Sequence, residues 1–488
     1  MIGATTLASP PYLLARAFSS ASSPYLLARA YSSASSPCLL ARAYSSASPN
    51  VNKEEKIVIL GTGWGGYTAA RLLADSPSLR SSKITVVSPS NHFLFTPLLP
   101  SSAVGTLEFR AIQEPVRSIK NINYFQAKAR EVDFINQTIL CDGMAWHADK
   151  DPDVFKVKYD RLIIAAGVKT NTFGTPNIDE REGKEIFFLK HLHHARAIRD
   201  RTIEMFEASA LPGTSDNEKK RLLSFVVVGG GPTSCEYAAE LHDFLAEDLQ
   251  RLYPELVPFV KITLVEAGGA LLGPFDKSLR DHVARLFKKR DITVKLDTAV
   301  KGVELYRDHE FRHEATQAVL SDGSKLSFGT MVWSAGLKPV RFTQQFSTEM
   351  KSKGGRILTD KFLRVKHEEG KVWAIGDCAE IEDAALPQLA QVAQQEANFV
   401  SKVLSGKQGM DETEFKFQSL GSMASLGLGE GIYDGNALAG PWLKFSGLLA
   451  WLAWRSAYWG KQVSWSNKIL IPMYWFKTFV FGRDISRF

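Results

Sequence analysis

Cysteine is scarce in this chain. Four residues in 488, Cys38, Cys141, Cys235 and Cys378, form no CxxC and no close pair. Such spacing excludes a disulfide framework, a zinc site and a redox-active dithiol. Long apolar runs are lacking as well. Nothing near the N-terminus approaches the roughly 20 residues that a spanning helix needs, and the C-terminal run Phe445–Trp454 is bounded by Lys444 and Arg455. Acid is missing from the two ends. Residues 1–53 carry Arg16, Arg29, Arg42 and Lys53 with no Asp or Glu, and residues 441–488 carry seven bases against Asp484 alone. Taking these +4 and +6 from the net +7 leaves −3 for the body, which argues against a nucleic-acid groove. A calcium loop is lacking too. Asp149–Asp160 has acids at loop positions one, three and five, but Val154 stands where Gly is required, so no calcium is expected.

What is present begins with repetition. "SPPYLLARAFSSAS", "SPYLLARAYSSAS" and "SPCLLARAYSSAS" follow one another, each too short and Ser-rich to bury a face. Arg-rich, Ser-rich and acid-free composition predicts a mitochondrial transit peptide over residues 1–53. The length of the remainder suggests two or three domains.

"KIVILGTGWGGYTAARLL" passes from a buried strand, Ile57–Leu60, into Gly61-x-Gly63-x-x-Gly66, with Gly65 inside the motif, and then into helical spacing. Gly61 allows the tight turn, Gly63 lets backbone approach a pyrophosphate, and Gly66 lets helix and strand pack. The following strand, "KITVVSPSN", ends in Ser88, where an acid usually holds the ribose. "RLLSFVVVGGGPTSCEYAAELHDFL" repeats the plan with Gly229, Gly231, Pro232 and Thr233, and with Ser234 in place of the third glycine. Its next strand ends in Glu266, a carboxylate that binds a ribose and repels a 2′-phosphate, so NADH is expected over NADPH. Two further strands end in Ala166-Gly167 and Ala335-Gly336, and "KVWAIGDCAE" ends in Gly376-Asp377. Two fingerprints in one chain call for two dinucleotides.

The motifs "GTGWGG", "SPSNHFLFTPLLP", "VVVGGGPT", "WAIGD", "AQVAQQEA" and "FGRDISRF" closely resemble those of the type II, or alternative, NADH:quinone dehydrogenases, within the glutathione-reductase-type flavoproteins. The resemblance runs from about Lys56 to Phe488. It implies an α/β fold with two Rossmann-like dinucleotide-binding domains and a C-terminal membrane-surface helical region. The expected division is FAD domain 54–180 and 339–410, NADH domain 181–338, and membrane and dimer region 411–488. It implies FAD at Gly61, Gly63, Gly65 and Gly66, with Ser88, Thr96, Pro97, Ala166, Gly167, Gly376 and Asp377 around it. It implies NADH at Gly229, Gly231, Pro232, Thr233, Glu266, Ala335 and Gly336, with Glu236 near the nicotinamide as a proton relay. Leu389 and Ala390 would lie beneath the flavin, and Gln391 and Gln395, one helical turn apart, would orient a ubiquinone carbonyl. This chain departs from the family at Gln388-Leu389-Ala390-Gln391, where Ala-Thr-Ala-Gln is usual, and at His191, where Glu is common. His191, His193 and His194 read as a helix surface and not a metal site.

The implied activity is oxidation of NADH with two electrons passing through FAD to ubiquinone, without proton pumping. Alternatives are an NADH-sensing flavoprotein without quinone turnover and a sulfide:quinone-type enzyme. Six of the ten tryptophans fall in residues 441–488, mixed with Lys and Arg. That mixture suits a helix in the headgroup layer of the mitochondrial inner membrane, and the family resemblance implies a homodimer through the same region. The lack of an N-terminal anchor leans towards the matrix face.

Overall fold

Each of the two glycine fingerprints follows an inner strand of a sheet, flanked on both sides by parallel strands, in the computed structural model. The structure describes residues 54–144, 151–368, 370–440 and 442–486. The expected transit segment 1–53 lies outside them, as do Asp149 and Lys150 of the rejected calcium loop. In the first sheet Lys56–Leu60 is flanked by the parallel strands Lys83–Ser88 and Arg161–Ile164. Val372–Ala374 lies outside the latter, and Asn123–Asp133, Thr138–Gly143 and Val154–Lys158 extend the other edge. Ile57, Val58, Ile59 and Leu60 are all buried. Burial on both faces is why the strand reads as an unbroken apolar run and not as an alternation.

The second sheet runs Ile186–Phe188, Thr330–Trp333, Ser224–Val228, Lys261–Val265, Thr293–Lys295, with every pair parallel. The chain leaves the first sheet and returns to it through a single antiparallel pair, Val168–Thr170 with Leu337–Pro339. The chain thus builds most of the first sheet, then the whole of the second, and Val372–Ala374 completes the first sheet long after it began.

The glutamine segment is a helix, Ala390–Leu404, whose buried face holds Val392, Ala393, Glu396, Ala397, Phe399 and Val400. It packs on the first fingerprint helix, Trp64–Ala74. A side chain at Gly65 would meet the Ile375 side chain at 3.2 Å and the Ala393 carbonyl at 3.6 Å.

The C-terminal region is a small antiparallel sheet, Ser422–Ser425, Gly431–Asp434 and Lys444–Ser446, followed by helices Leu448–Gly460 and Trp465–Phe481. The last helix continues through Pro472. Proline has no N–H to give the carbonyl four residues back. Here that carbonyl, Lys468 O, accepts the Trp459 indole N–H at 2.7 Å instead.

Candidate functional site

The first fingerprint closes as tightly as backbone allows. Gly61 has φ +107°, and a Cβ there would sit 2.2 Å from the Ala165 carbonyl oxygen. A Cβ on Gly66 would sit 2.1 Å from the Gly61 carbonyl oxygen. Gly63, in contrast, faces open space, since nothing lies within 4 Å of its Cβ position. It is the N-cap of Trp64–Ala74, with no side chain capping the helix. The free amides and positive end of the dipole therefore point at an uncovered volume, which suits a pyrophosphate. Around this mouth the fold gathers Ala166 and Gly167, Gly376 and Asp377, and the Leu389–Ala390 start of the glutamine helix. Lys190 and Asp377 face each other there, both desolvated. Burial lowers the lysine and raises the aspartate, and each partly offsets the other. An uncapped helix end, a glycine-lined turn and a separated pair of opposite charges fit FAD. Ser88 is otherwise engaged: its hydroxyl is 2.9 Å from that of Thr62 and accepts the Ser90 N–H.

The second fingerprint is looser. Ser234 is fully buried, and its hydroxyl lies 2.6 Å from that of Ser334. Gly231 caps Pro232–Phe244, again without a side-chain cap, and Pro232 occupies the first turn, where its missing N–H costs nothing. Glu266 curls back over Gly230, where a Cβ would be 2.8 Å from the carboxylate, and accepts the Gly268 N–H at 2.6 Å. Ala335 lies 3.2 Å from the Gly229 Cβ position, and the Phe173 ring fills the place of a side chain at Gly336. All the nucleotide residues read from the second motif thus meet at one end of the second sheet, Thr233 among them in the first turn of the helix.

Glu236 points elsewhere. Its Oε1 accepts the Ser425 N–H at 3.1 Å and the Trp454 indole N–H at 3.2 Å, both from the C-terminal region. Burial pushes its carboxyl up to about 8. Further along the same side of the chain, Glu240 accepts the hydroxyls of Ser101 and Thr106, Asp243 the Leu428 N–H, and Asp248 the Arg483 guanidinium. From Trp454 an aromatic series continues. Its ring is 4.9 Å from Tyr458, Tyr458 is 5.8 Å from Phe95, and Phe95 is 5.1 Å from Trp64. The Trp64 indole then donates to the Thr96 hydroxyl at 3.0 Å, beside Pro97.

Gln391 and Gln395 both hold backbone. The amide of Gln391 accepts Leu420 N–H at 2.9 Å and donates to Gly421 O at 3.4 Å. That of Gln395 accepts Gln418 N–H at 3.0 Å and donates to Gln418 O at 2.8 Å. One N–H of each amide remains. Sequence reasoning missed Glu396, Lys190, Tyr458 and Trp64; only the one-turn spacing of Trp454 and Tyr458 hinted at a shared face. It also misplaced His194 on a surface. His194 is buried, its Nδ1 accepts the N–H groups of Lys190 and His191, and burial holds it down at about 3. A ring turned inward to cap its own helix is a structural histidine.

Two sheets, each with a glycine turn leaving a strand that is flanked by parallel neighbours, one suited to FAD and one to a pyridine nucleotide, define a two-dinucleotide-fold flavoprotein oxidoreductase. The comparisons agree. Residues 55–397 match the pyridine nucleotide-disulphide oxidoreductase family, and residues 419–484 match the NDH2 C-terminal domain. A probable NADH dehydrogenase of Dictyostelium discoideum is 41% identical, covering 90% of this chain and 92% of its own. The internal alternative NAD(P)H-ubiquinone oxidoreductase A1 of Arabidopsis thaliana, mitochondrial, is 35% identical over 89% and 86% of the two chains. Among solved structures, NDH2 from Plasmodium falciparum in complex with NADH superposes with a TM-score of 0.79 at 26% identity, over 89% of this chain and 100% of that one. The chain belongs to the type II NADH dehydrogenase (NDH2) family.

Proposed function

We propose that the chain oxidises NADH and passes two electrons through FAD to ubiquinone, without pumping protons, at the surface of a mitochondrial membrane. The observation that carries this reading is the aromatic series from Glu236 through Trp454, Tyr458 and Phe95 to Trp64. It joins the second fingerprint helix to the mouth of the first by an apolar, carboxyl-ended wall. Gly61, Gly63 and Gly66 would hold FAD, which would supply the hydride-accepting and two-electron-donating chemistry between NADH and the quinone. The chain supplies the rest. Gly63 and Gly231 leave two helix ends free for the pyrophosphates, and Glu266 takes the ribose hydroxyls and repels a 2′-phosphate. Gln391 and Gln395 position the segment around Gln418–Gly421 and keep one amide N–H each for a quinone carbonyl. Glu236, protonated at neutral pH by its burial, holds a proton at the end of the wall.

The division into FAD, NADH and C-terminal domains is supported by the chain's single departure from the first sheet to build the second and its return with Val372–Ala374. We assign lipid contact to residues 441–488. Trp465, Ile469, Phe476 and Phe479 are exposed on the last helix at spacings of three to seven. Across the helix pair Arg455 lies between the indoles of Trp451 and Trp475, at 3.8 and 4.4 Å. No helix among the described residues is long and apolar enough to cross a membrane. A homodimer through this face, the matrix side and import by residues 1–53 belong to the same reading. Sulfide:quinone chemistry is disfavoured because Cys141, Cys235 and Cys378 are separate buried thiols.

The test is a two-step spectroscopic titration of the purified protein. NADH bleaches the flavin, and a short-chain ubiquinone restores its colour at least as fast as steady-state turnover. Bleaching without recovery would leave the NADH-sensing alternative standing. Liposomes containing anionic lipid should retain the protein, and neutral ones should retain less.

A further inference from the structure

Glu396 lies on the glutamine helix, one turn beyond Val392, and is 4% exposed. Its Oε2 accepts the Gly376 N–H at 2.5 Å. Gly376 has φ +72°, and a Cβ there would lie 3.2 Å from that of Ala393, so helix and turn are in direct contact. The neighbouring Asp377 carbonyl is held from the same helix region by the Gln388 amide at 2.9 Å. Two hydrogen bonds from the glutamine segment thus clamp the Gly376–Asp377 turn. The charged groups facing Glu396 are Asp377 and Arg356. Arg356 is paired with Glu380 at 2.5 Å and donates to the carbonyls of Ala379 and Leu386, so it is largely committed. Asp377 in turn faces Lys190.

We propose that Glu396 is a positioning residue that sets the Gly376–Asp377 turn against the flavin, and that its charge governs how readily that flavin is reduced. This rests on FAD occupying the first fingerprint. Desolvation first, and Asp377 second, push the carboxyl up to about 8 despite the Gly376 hydrogen bond and Arg356, so at neutral pH it is mainly uncharged. Ionisation would put a second negative charge beside Asp377, behind an amide that lines the cofactor mouth. Adding electrons in front of it then becomes harder.

The experiment measures the flavin midpoint potential from pH 6 to 9.5, and FAD retention on gel filtration, in the full-length holoprotein and in Glu396→Gln and Glu396→Ala. Glutamine keeps an acceptor for Gly376 and cannot ionise. Its potentials should match wild type at pH 6 and exceed them at pH 9.5 by a tenfold shift in the reduction equilibrium, about 30 mV for two electrons. Glu396→Ala strands the Gly376 N–H and should weaken FAD retention about tenfold at every pH. Wild-type and Glu396→Gln curves that coincide at all pH values would overturn the proposal, even if the alanine variant failed to fold. Wild type that binds no FAD would instead sink the functional reading beneath it.

Discussion

The two fingerprint halves follow one plan and close it differently. In the first, glycine brings helix and strand within backbone contact, with 2.1 Å between a would-be Gly66 Cβ and Gly61 O. In the second, Ser234 holds them slightly apart and joins them by a hydroxyl pair with Ser334. The third position of the motif therefore sets a spacing, which either absence of a side chain or a small buried hydroxyl can provide. The halves also dock the C-terminal region differently. The first uses the amides of Gln391 and Gln395, together with the Glu114 carboxylate, which accepts the Ser464 and Asn467 N–H groups. The second uses carboxylates, from Glu236 to Asp248.

Breaking the tighter closure should cost most. Gly66→Ala forces backbone apart and should lose FAD, with destabilisation of about 3–5 kcal/mol, read by flavin absorbance and melting. Glu266→Arg tests the ribose position that only the second half fills with an acid. It should raise the KM for NADH roughly 10- to 100-fold, the worth of a charged hydrogen bond, and narrow the preference over NADPH. Replacing Gln391 and Gln395 together by Ala removes the amide docking. Hydrogen exchange at 418–421 should accelerate and reoxidation by quinone should slow about tenfold, while reduction by NADH survives. Unchanged exchange there would break the contrast between amide and carboxylate docking.

Glu236→Gln probes the carboxylate side. A carboxyl raised in the folded state binds a proton that the unfolded chain has released. Its contribution therefore turns unfavourable as pH rises from the ordinary carboxylate range towards about 8. Glutamine can accept the same two N–H groups without that penalty. It should match wild type near pH 4.5 and melt several degrees higher at pH 8, by an effect on the order of a few kcal/mol. The smallest change is Ser234→Ala, about 1 kcal/mol for one buried hydroxyl pair, with nucleotide affinity within roughly threefold of wild type.

The glycines, the strands that lead into them and Glu266 were legible because their work is local: a turn, a close approach, a carboxylate at a strand end. Glu236 was legible as a residue but not in its partners, because Trp454 and Ser425 come from 218 and 189 residues away. His194 was misread for a related reason. A polar residue in a run of histidines looks exposed until its ring is seen capping its own helix. Glu396 left no signal, since one acid after two glutamines reads as a solvated helix face.

Local sequence determined the two nucleotide turns, the carboxylate at the end of the strand Lys261–Val265, and the basic aromatic composition of the C-terminal helices, since each depends on backbone conformation or residue chemistry within a few positions. Tertiary structure alone decided which carboxyls lose water and keep their protons, which glutamine amides are already spent on backbone, and where the aromatic wall runs. Desolvation and hydrogen-bond satisfaction belong to neighbours in space, and in this fold such neighbours can lie 218 residues apart in the chain, as Glu236 and Trp454 do.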